Sequence, residues 1–229
     1  MATDRKPSHM TNFTANLQEV DRLSDIHAIV TPEGPGRKHN VQILHKSGIV
    51  MLVACWEAFV EDLAANGLTF LLEIAPNHTA LPDSVLERIA NKHQGKRAWS
   101  LAGNGWRTAC TDHFKDVLAR TTGSLNTPRT AQVDELFDKV LGINNLSSHW
   151  HWKGRSAART KAALDELVTL RGSIAHRVAT ARSVRKQDVL TARELLIRLA
   201  VTSHNSVNRH LSKILATKPW AGYRFRETR

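Results

Sequence analysis

"SAARTKAALDELVTLRGSIAHR", residues 156–177, is the stretch whose reading decides the fold. Leu164, Leu167, Arg171 and Ile174 recur at spacings of three and four, which is the repeat of one face of an α-helix. The pattern does not stop at the arginine. It runs on through Gly172 and Ser173 to His176, so a helix over about 155–180 carries two cationic side chains in its last turns. Gly172 removes bulk where another backbone or a ligand approaches.

The same repeat recurs along the rest of the chain. Leu17, Val20, Leu23 and Ile26 predict a helix over about 11–30, ended by "TPEGPG" (31–36), whose prolines and glycines cannot continue it. A long apolar segment, about 39–74, holds Val41, Leu44, Met51, Leu52, Cys55, Trp56, Phe59, Val60 and Leu63, with Gly67 as a possible kink or break. A short helix follows "LPDS" (81–84), capped by Asp83 or Ser84. Residues 94–106 read as a loop and 107–120 as a helix. Thr127 as cap and Pro128 as first residue open another, which ends at Gly142. Residues 143–155 are irregular, and a last helix spans about 187–216. Period-two strand patterns are scarce. The expectation is an all-α bundle of six to seven helices. It divides into an N-terminal helix and linker (1–36), the bundle (37–216) and a basic, aromatic, loosely held tail (217–229).

Charge is unevenly distributed. From His151 to Arg229 there are 17 Lys and Arg against 5 Asp and Glu, while the first 150 residues hold 15 and 16. All the excess positive charge therefore lies in the C-terminal third, with residues 171–176. That asymmetry points to an anionic partner, nucleic acid ahead of membrane, or more plainly to a solvated basic face. The longest apolar run, "GIVMLVACW" (48–56), is too short to span a bilayer, and "MATDRKPSHM" lacks the apolar region of a secretory signal. Two cysteines make no disulfide framework, so a reducing cytoplasm is expected.

Arg171 and His176 lie about 140° apart on an ideal helix at 100° per residue. Converging on one phosphate would need a local distortion or a second copy of the helix from a partner subunit. The spacing itself is common: Arg22/His27 and Arg88/His93 share it and read as surface charge. Only the third pair falls in the basic third, late in a long helix. It could also be a structural cation pair at the negative end of that helix.

In this context "LRGSIAHR" resembles the R-x4-6-H signature of HEPN (higher eukaryotes and prokaryotes nucleotide-binding) domains, especially the branch ending in Ile-Ala-His. "ACWEAFVEDL" (54–63) is similar to the early helix of the RiboL-PSP-HEPN-like and MAE_28990-like groups. The arrangement matches over about residues 40–216. One departure is Gly172, where many members carry a polar residue after the arginine. The resemblance implies a helical domain that dimerises so that two motifs build one cleft. Many such domains are endoribonucleases that use no metal or cofactor, often toxins or antiviral effectors with an antitoxin or other regulatory partner. Others only bind RNA or nucleotides. Arg171 and His176 would then be the catalytic pair. An imidazole can take the 2′-OH proton or supply one to the leaving oxygen, and a guanidinium can hold the phosphate. Ser173 would donate a hydrogen bond, and Glu57 would orient either partner across the bundle. Arg177, Lys153, Arg155 and Trp152 are candidate RNA contacts.

"SSHWHWKGR" (147–155) admits three further readings. His149 and His151 could ligate a metal, but no cysteine or carboxylate lies near enough in sequence to complete a set. Trp150 and Trp152, beside Lys153 and Arg155, could stack on bases. Equally, the tryptophans could pack the loop onto the bundle. Asp165/Glu166 and Glu61/Asp62 point apart along their helices and make poor acid–base pairs.

Overall fold

A computed structural model describes residues 7–30, 41–121, 128–177 and 183–225. Within them the chain is all-α, with seven α-helices: α1 (Ser8–Val30), α2 (Gln42–Ile74), α3 (Asp83–Lys92), α4 (Gly105–Thr121), α5 (Thr130–Leu141), α6 (Ala157–Arg177) and α7 (Lys186–Leu215). Short 3-10 turns occupy His78–Ala80, Gly95–Leu101 and Leu146–His149.

The apolar segment becomes α2, and α2 is the centre. It buries one broad face, among it Ile49, Leu52, Trp56, Phe59, Leu63 and Leu71, and leaves Ala54, Glu57, Glu61 and Asp62 on the other side. By length and composition α2 could cross a membrane, but in this fold it is the core helix. Gly67 does not break it. A Cβ there would come within 2.8 Å of Leu141 Cδ1, so the glycine lets α5 and α7 close on α2. Trp56 and Trp150 meet edge to face and are both fully buried. Their indole N–H groups donate to Pro128 O (3.1 Å) and Ser203 Oγ (2.9 Å), so neither polar tip is stranded in the core. Trp150 is thus a packing residue.

Around α2 the other helices find their places by their apolar faces. α1 lies antiparallel to it, burying Met10, Phe13, Leu17 and Val20 in the same core. Asn12–Asp62 and Ser8–Asn66 hydrogen bonds set its register. Gly142 ends α5 in the left-handed region (φ 66°), as the sequence predicts, and a Cβ there would strike Pro82 at 2.5 Å.

Several boundaries differ from the expectation. α5 starts at Thr130, after Pro128, because its cap comes from far away: Asp165 Oδ1 on α6 accepts from Thr130 N at 2.9 Å. Thr127 and the 31–36 linker lie outside the described residues. α3 starts at Asp83, which sits in the first turn without capping it. The 94–106 loop is largely a 3-10 turn leading into α4 at Gly105. The tail is tied down as far as it is described. Asn208 Nδ2 donates to Trp220 O (2.9 Å), Asn205 pairs both ways with Tyr223, and His204 Nε2 reaches Ala221 O (2.9 Å).

That last bond belongs to a buried chain. His204 Nε2–H donates to Ala221 O, so its Nδ1 accepts from His9 Nε2–H at 2.8 Å, and His9 Nδ1 accepts from Asn66 Nδ2 at 2.9 Å. Every ring nitrogen is satisfied only while both imidazoles are neutral. Burial first, then the neighbouring His204, pushes His9 down to about 3. A histidine whose folded value lies below its unfolded value of about 6.5 supports the fold fully above that pH and loses its contribution as pH falls below it. Urea unfolding should therefore show about 2 kcal/mol less stability at pH 5 than at pH 7.5 from this pair. His9→Gln should flatten that acid slope, and an unchanged slope would refute the assignment.

Candidate functional site

The last turns of α6 carry Arg171 and His176. Ahead of α6, Trp152 and Arg155 pair backbone to backbone (3.1 and 2.9 Å), with Gly154 at φ 83° making the tight reversal between them. Leu164, Val168 and Ile174 are buried on the inner face of α6, which packs on α2 and α5. Arg171 occupies the next place on that face and is half-buried, whereas His176 is exposed.

Residues 171–177 are regular α-helix, so no distortion folds the two side chains together. At 100° per residue they diverge by about 140° within one chain. An added Cβ at Gly172 would meet no atom within 4 Å, so no neighbour in this chain requires a glycine there.

Arg171 does have a partner of opposite sign. Glu57, half-buried on α2, feels the Arg171 charge across the α2–α6 interface. Burial raises the Glu57 carboxyl and Glu61 raises it further, while Arg171 pulls it down. Among the described residues no hydrogen bond or ion pair of Arg171 closes this contact. Ser173 turns away from Arg171; its hydroxyl donates to Thr169 O (3.1 Å), and it borders a groove between α6 and α7. Arg177 is the last residue of α6, and its side chain lies outside the described residues.

The groove has a volume of about 620 Å³. Its floor is apolar, from Ile49, Leu167 and Leu195, and it runs from Ser173 and Asp188 to Trp152, Arg155 and Arg198. Lys153 stands exposed beside that second end. The candidate residues therefore split into two groups. Arg171, His176 and Glu57 belong to the end of α6, and Trp152, Lys153 and Arg155 to its start. His149 and His151 are exposed on the loop, and no cluster of three or more metal-binding side chains forms among the described residues.

The other two Arg-x4-His pairs have ordinary surroundings. Arg22 pairs with Glu19, Arg88 clamps α3 to Asp138 of α5 (2.6 Å), and His93 meets Ser100 Oγ (3.0 Å). Three residues that the sequence reading passes over enter the picture. Arg198 and Phe225 join the Trp152 end of the groove. Arg129 bonds Thr169 Oγ1 (3.0 Å), seven residues or about two turns before His176 on the same side of α6. Spacing gives no signal for any of them, because each meets its partners only through the fold.

A family model, RiboL-PSP-HEPN, matches residues 14–211, most of the chain from α1 to α7. The chain belongs to the RiboL-PSP-HEPN family. No curated protein and no solved structure matches it. The matched residues run from within α1 to within α7, with Arg171 and His176 late in the penultimate helix.

Open space at Gly172 gives a direct test. Gly172→Ala should stabilise α6 by about 0.5–1 kcal/mol, raising the melting temperature by roughly 1–4 °C. A lower melting temperature would mean that a close neighbour does require the glycine.

Proposed function

We propose that this HEPN domain is a metal-independent endoribonuclease that acts as a homodimer in the cytoplasm, as a toxin or antiviral effector held in check by an antitoxin or another regulatory protein. The observation that carries the reading is the helical end itself: Arg171 is half-buried against Glu57 while His176 is exposed one and a half turns on. The charge map supports RNA as the anion, since the excess of Lys and Arg lies in this third of the chain.

In the reaction, His176 takes the proton from a ribose 2′-OH. The 2′-oxygen bonds to the adjacent phosphorus, and the bond from phosphorus to the 5′-oxygen breaks. A second imidazole protonates that leaving oxygen, and the product carries a 2′,3′-cyclic phosphate. Arg171 holds the phosphate and offsets charge on its oxygens as the transition state forms. One chain presents one imidazole turned away from its arginine, so two copies of α6 across a two-fold axis supply both proton carriers and bring an arginine to each.

Exposed apolar side chains support a partner at this end of the bundle. Ile26, Ile29, Ile43 and Leu190 account for four of the six large exposed hydrophobics among the described residues, with Ile29 82% exposed. They lie at the end of α1 and the starts of α2 and α7. The starts of α2 and α7 touch through the Gly48–Val189 and His45–Val184 contacts, and Ser173 near the end of α6 and Asp188 near the start of α7 line one groove.

The divergence of Arg171 and His176, with Gly172 in place of a polar residue, favours a second reading: a non-catalytic RNA- or nucleotide-binding module. Incubating the protein with total RNA in EDTA separates the two. Wild type should cut and leave cyclic phosphate ends, while His176→Ala should lose at least 100-fold in rate and keep its elution volume on size exclusion. Mixing Arg171→Ala with His176→Ala should restore part of the activity if the cleft is shared between subunits. No cutting by wild type, with binding that weakens steeply with salt, would establish the binding module instead.

A further inference from the structure

The far end of the α6–α7 groove is built differently from its middle. Arg198 of α7 stacks its guanidinium on Phe225 (3.8 Å to the ring centroid) and reaches over Trp152 (5.4 Å). Arg155 approaches the Trp152 ring as well (5.8 Å). These four aromatic and cationic groups come from three separate segments. The Trp152–Arg155 turn supplies one side, α7 the centre, and the tail the other, where Asn205 anchors the backbone of Tyr223 two residues before Phe225. A second recess of about 540 Å³, lined by Trp152, Lys153, Arg198 and Phe225, adjoins the groove and shares Trp152 and Arg198 with it.

Two details give this end an unspent capacity to bind. The Arg155 Nε is buried and has no hydrogen-bond acceptor, although the same side chain reaches Arg159 O through Nη2 (3.4 Å). A buried charged donor without an acceptor is costly, and the charge of an anion held at the turn offsets part of that cost. Lys153, Arg155 and Arg198 bring three cations to this end, and Glu194 holds Arg198 Nε at 2.9 Å and so orients the guanidinium. The other groove carboxylates, Glu166 and Asp188, come from its middle and its opposite end. Rings that stack and fixed cations that take a phosphate oxygen are the two parts that a single-stranded nucleotide needs.

We propose that Trp152, Arg198 and Phe225, with Arg155 and Lys153, form a subsite for one nucleotide unit of single-stranded RNA, remote from Arg171 and His176. The base occupies the recess lined by Trp152, Arg198 and Phe225, and its phosphate meets the exposed Lys153. From Ser156 to His176 the helix rises about 30 Å, so the subsite holds a nucleotide several positions from the phosphate at the α6 end. It takes a strand with unstacked bases and not a duplex, since the rings need a base face. The inference rests on RNA being the ligand, as in the proposed function, and does not require that the RNA be cut.

The test is fluorescence anisotropy with a 5′-fluorescein 12-nucleotide RNA, on the full chain carrying His176→Ala so that nothing is cleaved. Trp152→Ala and Arg155→Met should each weaken binding about tenfold, and a duplex of the same sequence should show no such loss. Lys153→Glu gives a variant that cannot fail by unfolding, because Lys153 is exposed on the turn, and it should cost several-fold. Free AMP as competitor distinguishes the source of the nucleotide. Displacement of the 12-mer only at millimolar AMP supports a strand subsite, while displacement at micromolar AMP would replace it with a mononucleotide site. Wild-type affinity in both Trp152→Ala and Lys153→Glu would overturn the proposal, whatever the cleavage assay shows. Loss of cleavage on His176→Ala together with unchanged affinity in these variants would leave the nuclease reading standing without the subsite.

Discussion

Everything in this fold follows from the need to cover α2. A 33-residue helix with so broad an apolar face cannot be left at a surface, and burying a large side chain such as Trp56 or Phe59 is worth about 1.5–3 kcal/mol or more. α1, α5, α6 and α7 each bring an apolar stripe to it. Gly67 lets α5 and α7 approach closely, and the two indole N–H groups find acceptors so that the centre can stay dry. The same packing decides which face of α6 is buried, and so which residues near its end face inward and which face out.

That consequence matters because helix geometry leaves little freedom. Once Leu164, Val168 and Ile174 are fixed against the core, Arg171 must follow them inward and His176 must point away. Nothing in the chain bends α6 before Arg177. The fold thus separates the two side chains that the proposed cleavage would need together. A cation is positioned by the core, and a proton carrier is left in solvent at the bundle's end. The two-fold partner proposed above would join them again, and Ile26, Ile29, Ile43 and Leu190, at the end of α1 and the starts of α2 and α7, are apolar side chains left exposed for it.

Much of this was legible in the sequence, and the limits are physical ones. The long helices announced themselves through their repeat, and Gly142 through its place after a periodic run. The start of α5 was hidden because its cap, Asp165, arrives from another helix 35 residues away. Gly67 read as a break because sequence shows a missing side chain but not the leucine that fills its space. The tail read as loose because its ties, Asn205, Asn208 and His204, look like ordinary polar residues on α7 until the chain folds back on them. In "HWHW" the two tryptophans are indistinguishable by spacing, yet Trp150 is fully buried and Trp152 faces the groove. Of the candidate site, the spacing gave the Arg171/His176 pair and its 140° divergence. It could not give Arg198 or Phe225, which meet Trp152 only in space.

The weakness of the Glu57–Arg171 contact is itself informative about the α6 end. A carboxylate in tight contact would hold the guanidinium in place but would also neutralise it and occupy the donors that a phosphate needs. A carboxylate at longer range, its own ionisation opposed by burial and by Glu61, offsets part of the cost of half-burying Arg171 while leaving its donor edge unclaimed. The arrangement holds a cation against the core without satisfying it. An arginine kept only for packing would gain from a closed ion pair, and Arg88 with Asp138 shows that this fold can make one. The open donor edge of Arg171 is what the RNA phosphate proposed above would use.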